Sequence, residues 1–310
     1  MPDTATLLFL EQSLNALQFG MMLFMITAGL TLVFGIMDLV NLAHGSQFMF
    51  GAFIAAWVAG ETGNFYLAVV VAIVLTMALG FLMEVTVLRH FYKRHHLDQV
   101  LVTFGFILIL NEVARALWGA QGLSLALPDA LNRSVPLLPG LDYSLYRFVF
   151  IVCGIVVSVF LYVLIVKTRI GMLIRAGASD RDMVRGLGVN IGLLFTFVFG
   201  LGAALAGLSG ALAAPIMSAT IGMGEPILII AFVVIVLGGV GNVKGAFWAA
   251  LLIGFIDTLG RSYMAAIISF LAGDSVSAAL APSLSGMLIY LLMACVLVVR
   301  PEGLFARRAG

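Results

Sequence analysis

KTRIGMLIRAGASDRDMVRGLGVN, residues 167–190, is the polar centre of a chain that is otherwise almost continuously apolar. It carries five of the sixteen Lys and Arg residues, two acids and four glycines. The runs on either side, YRFVFIVCGIVVSVFLYVLIV (146–166) and IGLLFTFVFGLGAALAGLSGALAA (191–214), each reach the roughly 20 apolar residues that a bilayer crossing requires. A basic loop of helix-forming length held between two such spans is a surface offered to something in the cytoplasm.

Outward from that loop the pattern repeats. The 310 residues are 63% hydrophobic and 10% charged, with a mean hydropathy of +1.17. Soluble domains carry about 25% charged residues, and no water-soluble core could hide this much apolar surface. Spans are predicted at 12–35, 44–60, 65–88, 99–118, 146–166, 191–214, 226–240, 246–262 and 284–300. The reading is therefore an all-α polytopic membrane protein with 8 to 10 crossings, nine by this count, forming a single transmembrane domain over 1–310. The seventh and eighth runs are short and separated only by GGVGNVKG (238–245), so a re-entrant pair or one broken element is the alternative there. The runs are continuous rather than alternating, which argues against a transmembrane barrel.

Lys and Arg set the orientation, because loops rich in them stay in the cytoplasm. Arg89, Lys93 and Arg94 form one cluster, the residues from Lys167 to Arg185 a second, and Arg300, Arg307 and Arg308 a third. With the spans above, all three fall on one side together with Lys244. The amino terminus is then external, as is the 119–146 loop, expected to be ordered turns. No basic residue precedes Arg89, so the basic start of a cleaved signal is missing.

Several chemistries find no support. Cys153 and Cys295 sit inside apolar runs and are expected to be buried hydrophobes rather than a disulfide. His90, His95 and His96 lie among Arg89, Lys93 and Arg94 and read as a basic loop, not a metal site. In GGVGNVKG the lysine is followed by Gly245, so the ending of a phosphate-binding loop is absent, and GLGVNIG (186–192) follows no strand. No catalytic residue, metal ligand or nucleic-acid partner is expected.

Polar groups at membrane depth are expensive and tend to face a cavity or a partner. Asp38, Asn41 and His44 interrupt the first two spans, either capping helix ends or lining a path. Glu112 and Arg115, and Asp257 and Arg261, have the spacing of helical ion pairs. Gly200, Ala203, Gly207, Gly210 and Ala214 line one helix face with small residues, as a close helix contact requires.

These segments occur in a recognisable order: GLTLVFGIMDLVNLAHGSQFMFGAF (29–53), LVTFGFILILNE (101–112), the central loop, FGLGAALAGLSGAL (199–212), LGGVGNVKGAFWAALLIGF (237–255) and VRPEGLF (299–305). Together they resemble the permease of branched-chain amino acid ABC importers, in particular the shorter of its two paired types. Asp38, Leu42, His90 and Phe91 depart from the family's usual residues. The resemblance implies an ABC importer permease fold and a coupling loop within 167–190, carried by Arg175, Ala176, Asp180 and Gly186. A short helix from about Arg175 to Val184, broken off by glycines at 171, 186 and 188, is expected there. Asn41, His44 and Asn242 are the candidate translocation-path residues.

The resemblance further implies two cytoplasmic ATPase subunits that bind the ATP and Mg, none being held by this chain, with a second permease and an external substrate-binding protein. The expected location is the bacterial inner membrane. Urea, amides or aromatic acids are alternative substrates. An ion-coupled secondary carrier, which also uses broken helices with midplane ionisable residues, and an intramembrane enzyme are the competing classes.

Overall fold

The computed structural model describes residues 3–305, so both chain ends, with Arg307 and Arg308 of the third basic cluster, lie outside the described residues. The chain runs α1 (Thr4–Met37), α2 (His44–Thr62), α3 (Phe65–Thr86), a 3-10 turn (Leu88–Phe91) and α4 (His96–Trp118). A hairpin of β1 (Ser134–Leu138) and β2 (Leu141–Ser144) follows, then α5 (Leu145–Lys167). The polar centre forms α6 (Arg169–Ser179) and α7 (Arg181–Gly186). The remainder is α8 (Ile191–Met217), α9 (Gly224–Gly238), α10 (Val243–Ala272) and α11 (Asp274–Val299).

Each expected span falls on one helix, and among the described residues seven helices are long and apolar enough to cross a membrane: α1, α3, α4, α5, α8, α10 and α11. The other two differ for visible reasons. The 19-residue α2 carries His44, Ser46 and Gln47 in its first turn and is buried along most of its length, and α9 has only 15 residues. Segments seven and eight are separate helices, parted by a turn in which Gly239 and Gly241 take φ of 84° and 74°. A side chain is strained at those angles, and glycine is not.

Local chemistry starts the helices. Asn64, Thr168, Asp180, Asn190 and Asn242 are N-caps whose side chains accept from the N–H three residues on, at α3, α6, α7, α8 and α10. Each satisfies a donor that an isolated helix end leaves bare. Asp38, where α1 ends, has φ of 52°, a left-handed conformation that Asp tolerates better than an apolar residue.

The chain divides into two compact units. One is drawn from residues up to Phe24, from 129–155 and from 232 onward. In it α10 packs beside α11, and Gly254 lies against Ala16 and Gly20 of α1. Phe24 meets Phe247 edge to face at 5.1 Å. Tyr143 of the hairpin donates its hydroxyl to Asn15 at 3.3 Å, and the tail docks through Leu304 N–H on Leu237 O, 2.9 Å.

The second unit holds residues 25–128 and 156–231. Its centre is α8 packed against α2 and α3. The small-residue face of α8 is the surface on which they close: Gly51 lies on Gly207, Phe48 on Gly210, and Gly80 on Ala203. Backbones approach so closely that a Cβ at Gly207 would collide with Thr76, which is the use of small residues where apolar helices have no water to drive them together.

Candidate functional site

The polar centre folds as two helices rather than the one expected over 175–184. The break is at Asp180, whose Oδ1 caps α7 by accepting from Met183 N–H at 2.9 Å; Gly171 lies inside α6 rather than before it. Thr168 starts α6 earlier, accepting from Gly171 N–H at 3.0 Å. Burial in α6 recurs every third residue, at Gly171, Ile174 and Gly177, and Gly177 leaves room for Leu194. Arg181 of α7 sits over the Phe195 ring at 5.5 Å. Both contacts seat the pair on the first turns of α8.

Arg175 and Asp180 are exposed but have internal work. Arg175 donates to the carbonyl of Ile165 near the end of α5, where a cation also suits the negative end of the helix dipole. Asp180 holds the bend between α6 and α7. Ala176 is half-buried and Gly186 ends α7 in the open. What the element turns outward includes Met172, Met183 and Leu187, the last two 65% and 74% exposed. These are large apolar side chains exposed on an otherwise charged loop.

Asn41 and His44 are brought together, but inside the second unit and without exposure. His44 opens α2 and places Nε2 3.0 Å from Ile26 O. Among the described residues, both amide atoms of Asn41 and the buried hydroxyls of Thr27 and Thr31 have no hydrogen-bond partner. Thr27 and Thr31 share a face of α1 and His44 and Gln47 a face of α2, all of them buried; the sequence reading singled out Asn41 and His44 alone. The link before α2 is braced by α4: Gln99 accepts from Val40 N–H at 3.2 Å and donates to Phe91 O at 3.3 Å.

Asn242 belongs to the other unit and has a local role. Its Oδ1 caps Gly245 N–H at 3.1 Å, and its Nδ2 donates to Phe305 O at 2.7 Å. The expected ion pairs form, Glu112 with Arg115 and Asp257 with Arg261, each at 2.9 Å. Both cysteines are free; Cys153 is half-buried and Cys295 exposed, which corrects their placement in the core, since a span carries apolar residues on its lipid side as well. His95 uses its ring to accept from Leu97 N–H.

One cluster went unnoticed as a site. Glu84, at the end of α3, is 1% exposed and gathers three donors. Its Oε1 accepts from the Tyr92 hydroxyl, and its Oε2 from Thr196 at 2.6 Å and from Arg89 at 3.5 Å. Burial, then the bond to Glu84, raises the Tyr92 phenol well above its ordinary range. A lone glutamate closing an apolar run was the available signal. Thr196 follows the 167–190 loop by six residues, so this carboxylate ties the end of α3 to the start of α8.

The sequence model of a family described as branched-chain amino acid transport system / permease component matches residues 13–297. The high-affinity branched-chain amino acid transport system permease protein BraD of Pseudomonas aeruginosa is 28% identical, over 96% of each chain. The permease protein LivH of the corresponding system in Escherichia coli is 27% identical, over 97% of this chain and 96% of its own. A probable branched-chain amino acid transport permease protein of Methanocaldococcus jannaschii is 25% identical over 94% and 90%. No solved structure matches the chain.

Proposed function

Because the chain belongs to the family of branched-chain amino acid transport permease components, a multi-pass membrane family of transport subunits rather than enzymes, we propose that it forms part of the membrane path of an ATP-driven importer. Its cargo is a branched-chain or related amino acid, delivered by an external binding protein. Two cytoplasmic ATPase subunits bind ATP and Mg, and a second permease completes the path. In this reading the complex sits in the inner membrane with the amino terminus outside and the loops 89–98 and 167–190 and the carboxy terminus inside, as the basic clusters favour.

The observation that carries the reading is the braced element α6–α7. It projects Met183 and Leu187 from between two spans, while Arg175 ties it to α5 and Gly177 and Arg181 seat it on α8. A load applied there by a soluble partner reaches two spanning helices without passing through a flexible joint. Asn41 and His44, being buried, support the path by shaping α1 and α2 rather than by touching cargo.

The test is the Arg175→Ala, Asp180→Ala double variant, purified with its ATPases, second permease and binding protein. Loss of ligand-stimulated hydrolysis or of uptake per ATP, with unchanged affinity of the binding protein for its amino acid, is expected. Normal uptake and normal ATPase co-purification would count against the coupling role.

A further inference from the structure

We propose that the cavity beside Glu84 binds the phosphodiester headgroup of an anionic membrane glycerophospholipid. The cavity, about 720 Å³, opens where the last turn of α3 and the 3-10 turn meet the first turns of α8. It thus lies where two apolar helices end and polar loops begin, the depth of a lipid headgroup. Its walls mix two chemistries. Phe81, Val85, Leu193 and Phe197 are its apolar lining, the last three exposed on helices apolar enough to cross the membrane, and Arg89 and Asn190 are polar groups beside them.

Hydrogen-bonding capacity decides the sign of the ligand. The acceptor on the wall, the Glu84 carboxylate, already takes bonds from Tyr92, Thr196 and Arg89. Asn190 uses its Oδ1 to cap Leu193 N–H. Among the described residues, the one cation on the wall is the guanidinium of Arg89, which touches Glu84 through Nη2 alone, is 42% exposed and so keeps N–H groups free beside the Asn190 amide. Arg carries five N–H groups in a planar fork that matches two phosphate oxygens at once. An amino acid zwitterion finds no unused carboxylate for its ammonium here. A soluble anion would leave the apolar lining uncovered, whereas an acyl chain lies along it.

The experiment uses the full-length protein in its detergent-purified complex, with bound lipid counted by native mass spectrometry. Dioleoyl phosphatidylglycerol is added, then competed with dioleoyl phosphatidylcholine or inorganic phosphate. Phosphatidylglycerol should be retained over both, and Arg89→Gln should weaken its retention roughly fivefold, the effect of one interfacial basic residue. Because Arg89 also neutralises Glu84, a second variant is needed: Val85→Trp, at an exposed position, should fill the cavity and weaken retention with Arg89 intact. Arg94→Gln, in the same basic loop but away from the cavity, should change nothing. Retention unaffected by Val85→Trp would place the lipid on the loop surface and overturn the assignment. Equal retention of phosphatidylcholine would refute the requirement for a net negative headgroup, and displacement by inorganic phosphate at similar concentration would make the ligand a soluble anion.

Discussion

Gly51 of α2 offers the sharpest test of how the second unit holds together. A Cβ there would stand 2.5 Å from Cα of Gly207 on α8, where carbons normally keep about 3.5–4.0 Å. Backbone cannot rotate out of the way, so in Gly51→Ala the two helices must part by roughly 1 Å, and close contact along their shared face is lost. Overpacking of this kind costs about 1–3 kcal/mol, offset by the about 0.5–1 kcal/mol that Ala gains over Gly inside a helix. The net destabilisation is about 0–2.5 kcal/mol, up to roughly 70-fold in the ratio of folded to unfolded protein. Gly60, two and a half turns on in the same helix, is the internal control: nothing lies within 4 Å of its would-be Cβ, so Gly60→Ala should be neutral or mildly stabilising. Unfolding of the purified proteins in one detergent, followed by tryptophan fluorescence, measures both. Gly51→Ala unfolding as late as Gly60→Ala would refute the claim that backbone contact at Gly207 sets the helix separation.

Three further outcomes are expected. Tyr143 of the hairpin is pushed up to about 12 by burial, with Arg147 opposing and Glu11 adding; a raised phenol contributes stability below about pH 10 that is lost as pH climbs towards 12. Tyr143→Phe should therefore lose less stability over that interval than the native protein, and equal losses in thermal scans would count against it. Asn242→Ala removes the α10 cap on Gly245 N–H and the bond to Phe305 O that helps dock the tail, so hydrogen exchange should quicken at Gly245 and at Leu304, whose N–H is held on Leu237 O, with a loss of about 0.5–2 kcal/mol; a transport defect with unchanged exchange would instead return Asn242 to the path. For orientation, cysteines at Asp3→Cys and Asp129→Cys in a cysteine-free background should react with an impermeant thiol reagent in intact cells, and Ser179→Cys should not. The opposite pattern would invert the topology.

Sequence alone determined the spans, because a backbone in hydrocarbon must satisfy its own hydrogen bonds and so demands long apolar helical runs. It likewise determined the pairs Glu112–Arg115 and Asp257–Arg261, which depend on residues three or four apart, whereas the start of α6 at Thr168 was missed. The small-residue face of 200–214 was legible for the same reason, but which helices close on it was not. Tertiary structure decided whatever joins distant residues. Gly51 finds Gly207, and Glu84 finds Thr196 across 112 positions. Asn41 and His44 turned out to be enclosed rather than exposed because α1, beside them, is itself buried over most of its length. In a membrane protein the lipid-facing and protein-facing sides of a helix are equally apolar, so hydropathy marks where a helix crosses, and only the packed neighbours mark which face it hides.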